Sequence, residues 1–160
     1  MKGAKGWLIA IPILWLAGAF QEAVAYQLSL AGVAPDFLLV GVVCLCLFAP
    51  KRNGAGVGLM AGAIHGAIAG GHMAAYAITR TLVGFAIGWF ASLEFEANTS
   101  VAFVMTAMAT LATQLTFFLM NPRGGILASL LATIGSAMYN GVLAIPLYAL
   151  LNKVLDSPRR

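Results

Sequence analysis

The stretch Gly54–Trp89, GAGVGLMAGAIHGAIAGGHMAAYAITRTLVGFAIGW, reads as two membrane helices joined by a tight turn at Gly70-Gly71. Gly54, Gly58, Gly62, Gly66 and Gly70 recur every four residues. On a helix that spacing makes one slowly winding stripe without side chains. In lipid, where no hydrophobic force separates helix from acyl chain, such a stripe lets a second backbone approach closely. After the turn the four-residue spacing resumes as His72, Tyr76, Arg80, Gly84 and Gly88. A charged side chain within a span is costly and calls for a partner or a wet cavity, so Arg80 needs an explanation that helix packing does not supply.

Composition agrees with a membrane domain. Of 160 residues, 61% are hydrophobic and 9% charged, with mean hydropathy +0.93. A soluble core does not need that much apolar surface, and runs of about 20 apolar residues mark spanning helices. The net charge of +4 comes from basic residues lying singly or in pairs between apolar runs. That placement reads as topology signalling and excludes a nucleic-acid surface. Cys44 and Cys46 stand two apart in an apolar run, point in different directions on a helix, and read as buried small hydrophobes.

Outward from the central pair, the chain divides into one polytopic membrane domain over 1–160, an all-α protein of six spans at about 7–28, 36–49, 54–70, 73–93, 99–120 and 126–151. The first apolar run could also be a signal peptide cut after Ala23-Val24-Ala25; its length and Gln21-Glu22 favour a retained span. Pro35-Asp36 suits the start of the second span, with proline at the first turn and a carboxylate on the helix dipole. That span is short. Asn121-Pro122-Arg123-Gly124-Gly125 is a turn by composition, and Pro146 is expected to kink or end the sixth span. With both termini cytoplasmic, seven basic residues (Lys2, Lys5, Lys51, Arg52, Lys153, Arg159, Arg160) lie inside and Arg123 outside, as the positive-inside rule requires.

No phosphate loop, zinc pattern or nucleophile with a base is visible, so no catalytic residue, cofactor or metal site is assigned. His65 and His72 fall on different helices and lack a third ligand. Four polar side chains do share a depth. Counting helix rise, Glu22, His65 and Gln114 lie about 9 Å, and Arg80 about 10 Å, below the outer ends of their spans. Glu22 is expected to pair with Arg80, with Gln114 or His65 as a further hydrogen-bond partner.

Several segments resemble the family of the rod-shape-determining protein MreD. Pro35-Asp36 followed by Phe37-Leu38-Leu39-Val40 is similar to that family's opening of its second span. Gly58-Leu59 to Gly62, Gly70-Gly71 and Leu82-Val83-Gly84-Phe85-Ala86-Ile87-Gly88 resemble its glycine-rich centre. The most specific piece is Ala137-Met138-Tyr139-Asn140-Gly141-Val142-Leu143-Ala144-Ile145-Pro146-Leu147-Tyr148, similar to its closing helix. The chain departs from the family in its third span, where Gly66 and Ala69 replace a frequent aspartate and serine.

The resemblance implies a non-enzymatic component of the bacterial elongation machinery in the cytoplasmic membrane. It implies an MreC-like bitopic partner, with MreB, RodA and a class B penicillin-binding protein in the wider assembly. It also implies a fold like the substrate-binding subunits of energy-coupling-factor transporters. That likeness supplies the alternative, a vitamin-like solute binder using the same polar cluster; a third reading is a small channel or transporter that homo-oligomerises through the glycine stripe. The loops are too short for a standard soluble interface. Partner binding is therefore expected within the bilayer, on lipid-facing sides of the second and sixth spans.

Overall fold

The computed structural model describes residues 4–30, 32–48, 51–93, 96–120 and 126–155. Among them are six helices: α1 (Ala4–Ala23), α2 (Phe37–Leu47), α3 (Lys51–Ile68), α4 (Met73–Ala91), α5 (Thr99–Met120) and α6 (Ile126–Leu155). The expected turn at 121–125, the acidic Glu94 with Phe95, and the tail beyond 155 lie outside the described residues. Most boundaries differ from the sequence reading by a few residues, and three of the differences bear on the site and the fold. α1 stops at Ala23 and continues as irregular turns rather than running to Leu28. α3 begins at Lys51 rather than Gly54, and α6 runs past Pro146 to Leu155 without ending there.

α2 organises the rest. Its sequence, FLLVGVVCLCL, has no polar face, and a helix that is apolar all round belongs in the interior. Every residue from Leu38 to Leu47 is buried, and α2 touches all five other helices. It therefore has no lipid-facing side, which corrects the expectation that such a side binds a partner. The thiols illustrate the wrapping: Cys44 Sγ lies 3.7 Å from the Ala144 carbonyl of α6, and Cys46 Sγ 3.7 Å from that of Gly54 in α3. With 11 residues α2 is about 16 Å long, half of a hydrocarbon core of about 30 Å. Its C-terminal end leads into Lys51-Arg52 at one face of the membrane, so its N-terminal end is submerged.

Among the described residues, four helices are long and apolar enough to cross a membrane, at Gly6–Ala23, Met73–Ala91, Thr99–Met120 and Ser129–Val154. α3 has the length but opens on Lys51-Arg52-Asn53 and is rich in glycine. It gains its place through α4. A Cβ added at Gly54 would stand 2.3 Å from the Gly84 carbonyl oxygen, and one at Gly58 only 2.0 Å from that of Arg80. At Gly62 and Gly66 it would meet the Ala77 and Met73 Cα atoms at 2.6 and 2.7 Å. These are contacts between backbones. At the hairpin between the two helices, Gly70 and His72 both take positive φ, 64° and 55°.

α5 and α6 form the second extensive pair, and the two pairs touch each other directly only through α4 and α5 among the described residues. The remaining separation is filled by α2 at one level and is open at another. At the far end of α6, Tyr148 stacks on Phe48 at 5.1 Å and its hydroxyl donates to the Ala97 carbonyl at 2.7 Å.

Candidate functional site: a buried polar network beneath an open cavity

Polar chemistry concentrates at the end of the bundle where α2 begins. Asp36 is the N-cap: its Oδ1 accepts from the Leu39 backbone N–H at 2.9 Å, satisfying one donor of the first turn. Because that end of α2 is submerged, this cap is submerged too. The other oxygen, Oδ2, pairs with Arg80 of α4. Arg80 is the largest fully buried side chain, 1% exposed, while Asp36 retains 22% side-chain exposure.

Neighbouring helices lock this pair in place. Asn140 of α6 accepts from the Asp36 backbone N–H at 2.9 Å and donates through Nδ2 to Thr110 Oγ1 of α5 at 3.2 Å. Thr110 in turn donates to the Thr106 carbonyl one turn earlier. Gln21 of α1 accepts from Phe37 N–H at 2.8 Å and donates to the Pro35 carbonyl at 3.2 Å, bracketing the cap. On α3, His65 Nδ1 lies 3.2 Å from Arg80 Nη2. Arginine only donates, so Nδ1 accepts and the ring proton sits on Nε2. The imidazole stacks on Tyr76 at 4.1 Å, and Tyr76 meets Phe117 of α5 at 4.9 Å. All six helices are thereby tied at one level.

Above the network opens a cavity of about 930 Å³, lined by residues of α1, α3, α4, α5 and α6 and by the segment that caps α2. Its floor includes Asp36, His65, Arg80 and Asn140; its walls include Tyr76, Thr113, Gln114, Phe118 and Leu130. Arg80 and Thr113 line this cavity, and Arg80 Nε and Nη1 and the Thr113 hydroxyl, each almost without accessible surface, have no hydrogen-bond partner among the described residues.

The sequence-assigned residues are distributed as follows. His65 and Arg80 are in contact, and Gln114 lines the same cavity. Glu22 does not join them. With α1 ending at Ala23, Glu22 sits exposed in the last turn instead of a turn and a half below the surface. The expected Glu22–Arg80 pair is therefore corrected to Asp36–Arg80. Gln21, one residue and about 100° away on the helix, is the one that turns inward. Of the segments carrying the family resemblance, Pro35 and Asp36 form the cap, Asn140 holds it, and the Tyr139 hydroxyl donates to the Leu28 carbonyl at 2.8 Å. Pro146 is exposed within α6, away from the cavity. Gly54, Gly58, Gly62, Gly66 and Gly84 lie in the α3–α4 contact, with the Gly88 Cα 3.4 Å from a Cβ at Gly54. Gly70 has open space around it. Missed were Gln21, Thr110 and Thr113, neutral side chains whose direction a single sequence does not give.

No group of three or more His, Cys, Asp or Glu side chains that could hold a metal ion occurs among the described residues. Compared with known families, residues 2–157 match the sequence profile of the family described as rod shape-determining protein MreD. Searches of curated proteins and of solved structures give no match.

Proposed function

The chain belongs to the MreD family of rod shape-determining membrane proteins, and from that premise we propose that it is a non-enzymatic component of the bacterial cell-elongation machinery that binds an MreC-like bitopic protein inside the cytoplasmic membrane. MreB, RodA and a class B penicillin-binding protein belong to the wider assembly in this reading. The family match over nearly the whole chain carries the proposal. The structure adds a surface consistent with it. The connections among the described residues are short, which leaves little soluble area for a partner. α6 presents Ile134, Met138, Val142 and Ile145, all at least 40% exposed, at spacings of four, four and three. That stripe is the docking face we propose for a partner's single helix, because of the two spans singled out in the sequence α2 is enclosed.

Photo-crosslinking residues placed at Met138, Val142 and Ile145 in living cells test the reading. Crosslinks to one bitopic membrane protein are expected from these positions. Crosslinks arising only from Glu96 and Asn98, and none from α6, would overturn the intramembrane interface.

The cavity favours a second reading: a solute-binding membrane subunit of an energy-coupling-factor transporter, with the fold such subunits have. Co-purification separates the two. A retained bitopic protein supports the first, and a retained ATPase module supports the second.

A further inference from the structure

We propose that the cavity above Asp36 and Arg80 binds an amphiphile with an oxyanion head, a phosphate or carboxylate, whose oxygens meet Arg80 Nε and Nη1 and the Thr113 hydroxyl. This rests on neither functional reading above. The starting point is an imbalance in the guanidinium. Arginine carries five N–H donors and cannot lose its charge. Here only Nη2 has partners, Asp36 and His65, which leaves the N–H on Nε and the two on Nη1 without any. The side chain is 1% exposed, and donors left unmet at that burial are expensive. Thr113, buried on the facing helix α5, presents a second unmet polar group to the same cavity.

Charge selects an anion. Asp36 does not neutralise the site, because its carboxylate is shared between Arg80 and the positive end of α2, where it accepts the Leu39 N–H. Arginine plus a helix N-terminus against one carboxylate leaves an excess of positive potential at the cavity floor. Acceptor oxygens there would complete the guanidinium without displacing Asp36 from Nη2.

Size and wall chemistry select an amphiphile. A volume of about 930 Å³ is far larger than a lone phosphate needs and sits at the upper end of small-molecule sites, about 300–1,000 Å³. Away from Arg80 the walls are mixed, with Leu111, Leu115, Phe118 and Leu130 forming an apolar part beside Gln114, Ser129 and Thr133. A hydrocarbon portion lies along the apolar part while the head reaches the floor. The head chemistry could come from a membrane lipid or from a soluble anionic metabolite with an apolar body.

The test uses the full chain in an uncharged detergent, titrated by calorimetry with dodecyl phosphate and, separately, inorganic phosphate. Saturable binding of dodecyl phosphate with none for inorganic phosphate is expected, and it points to a lipid-like source. Saturable binding of inorganic phosphate with comparable affinity would show that the hydrocarbon portion adds nothing, and overturns the amphiphile. Arg80→Lys should weaken dodecyl phosphate binding by about tenfold or more, and Thr113→Val by about fivefold, from the usual worth of charged and neutral hydrogen bonds. Thr113→Val also keeps the fold testable if Arg80→Lys misfolds. Its hydroxyl has no partner among the described residues, so the variant should melt at or above the wild-type temperature while binding more weakly. No saturation by either probe overturns the proposal. So does unchanged affinity in Thr113→Val together with unchanged affinity, or misfolding, in Arg80→Lys.

Discussion

Arg80 shares its carboxylate with the first turn of α2, so one residue, Asp36, has two separable tasks. Asparagine caps a helix as well as aspartate does. Asp36→Asn therefore keeps the cap and removes only the charge facing Arg80. Breaking a buried pair costs about 3–5 kcal/mol. Because Asp36 is 22% exposed, the low end, about 3 kcal/mol, is expected for Asp36→Asn or Arg80→Gln. Each single change strands one charge, so the double variant should be more stable than Arg80→Gln alone. Thermal melting in detergent of the three variants reads this directly, and additive losses would show that the pair contributes nothing. Glu22→Gln serves as the contrast: an exposed end-of-helix change should stay within about 0.5 kcal/mol of wild type. The sequence pointed to Arg80 through a charge within a span, and to His65 through its similar depth. It pointed away from Asp36 because a carboxylate beside a proline at a helix start already had an explanation as a cap. The signal that it lay deep was the brevity of the apolar run after it. A helix too short to span carries its cap down into the membrane, and depth counted from each span's outer end missed this.

At the scale of elements, α3 and α4 depend on the absence of side chains at their contact. A methyl group at Gly58 would overlap the Arg80 carbonyl at 2.0 Å, and that oxygen is backbone. It can yield only if the helices part, which would also shift Arg80 relative to Asp36. Gly58→Ala is expected to cost about 1–3 kcal/mol as an overpacked contact, and Gly62→Leu more than that. Gly71→Ala, at an exposed position with nothing within 4 Å, should melt as the wild type does. A wild-type melting temperature for Gly58→Ala would mean that the two helices are not in backbone contact. Gly66→Asp, which would restore the residue frequent in the family, is predicted to lower folded yield sharply: the position faces the Met73 Cα at 2.7 Å and does not line the cavity. The four-residue period made the stripe legible without a structure. It did not identify the helix that covers it, because a stripe of glycines fits any close neighbour. α2 was misjudged for a related reason. Its uniformly apolar sequence fits a short span in lipid as well as a helix enclosed by five others, and only the packing distinguishes these.

For the whole molecule, the open question of most consequence is which side of the membrane the cavity faces. The sign of the answer comes from charges that take no part in the site. Lys51 and Arg52 stand at the start of α3, the end opposite His65. His65 lies at the cavity, so these two basic residues mark the other face of the membrane. If basic flanks are retained in the cytoplasm, the Asp36 end of the bundle and its cavity open outward. The α3–α4 hairpin at Gly71 would be extracytoplasmic, and Asn98, at the start of α5, cytoplasmic. Both positions are exposed; a Cβ at Gly71 meets nothing within 4 Å, and replacing Asn98 removes only its exposed cap of the Val101 N–H at the start of α5. The native thiols give no background, since Cys44 and Cys46 are fully buried. Gly71→Cys should therefore react with a membrane-impermeant maleimide in intact spheroplasts. Asn98→Cys should react only after the membrane is opened. The reverse pattern would place the cavity on the cytoplasmic side. A ligand would then have to come from the inner leaflet or the cytosol, and the basic residues of this chain would run against the rule that orients most membrane proteins.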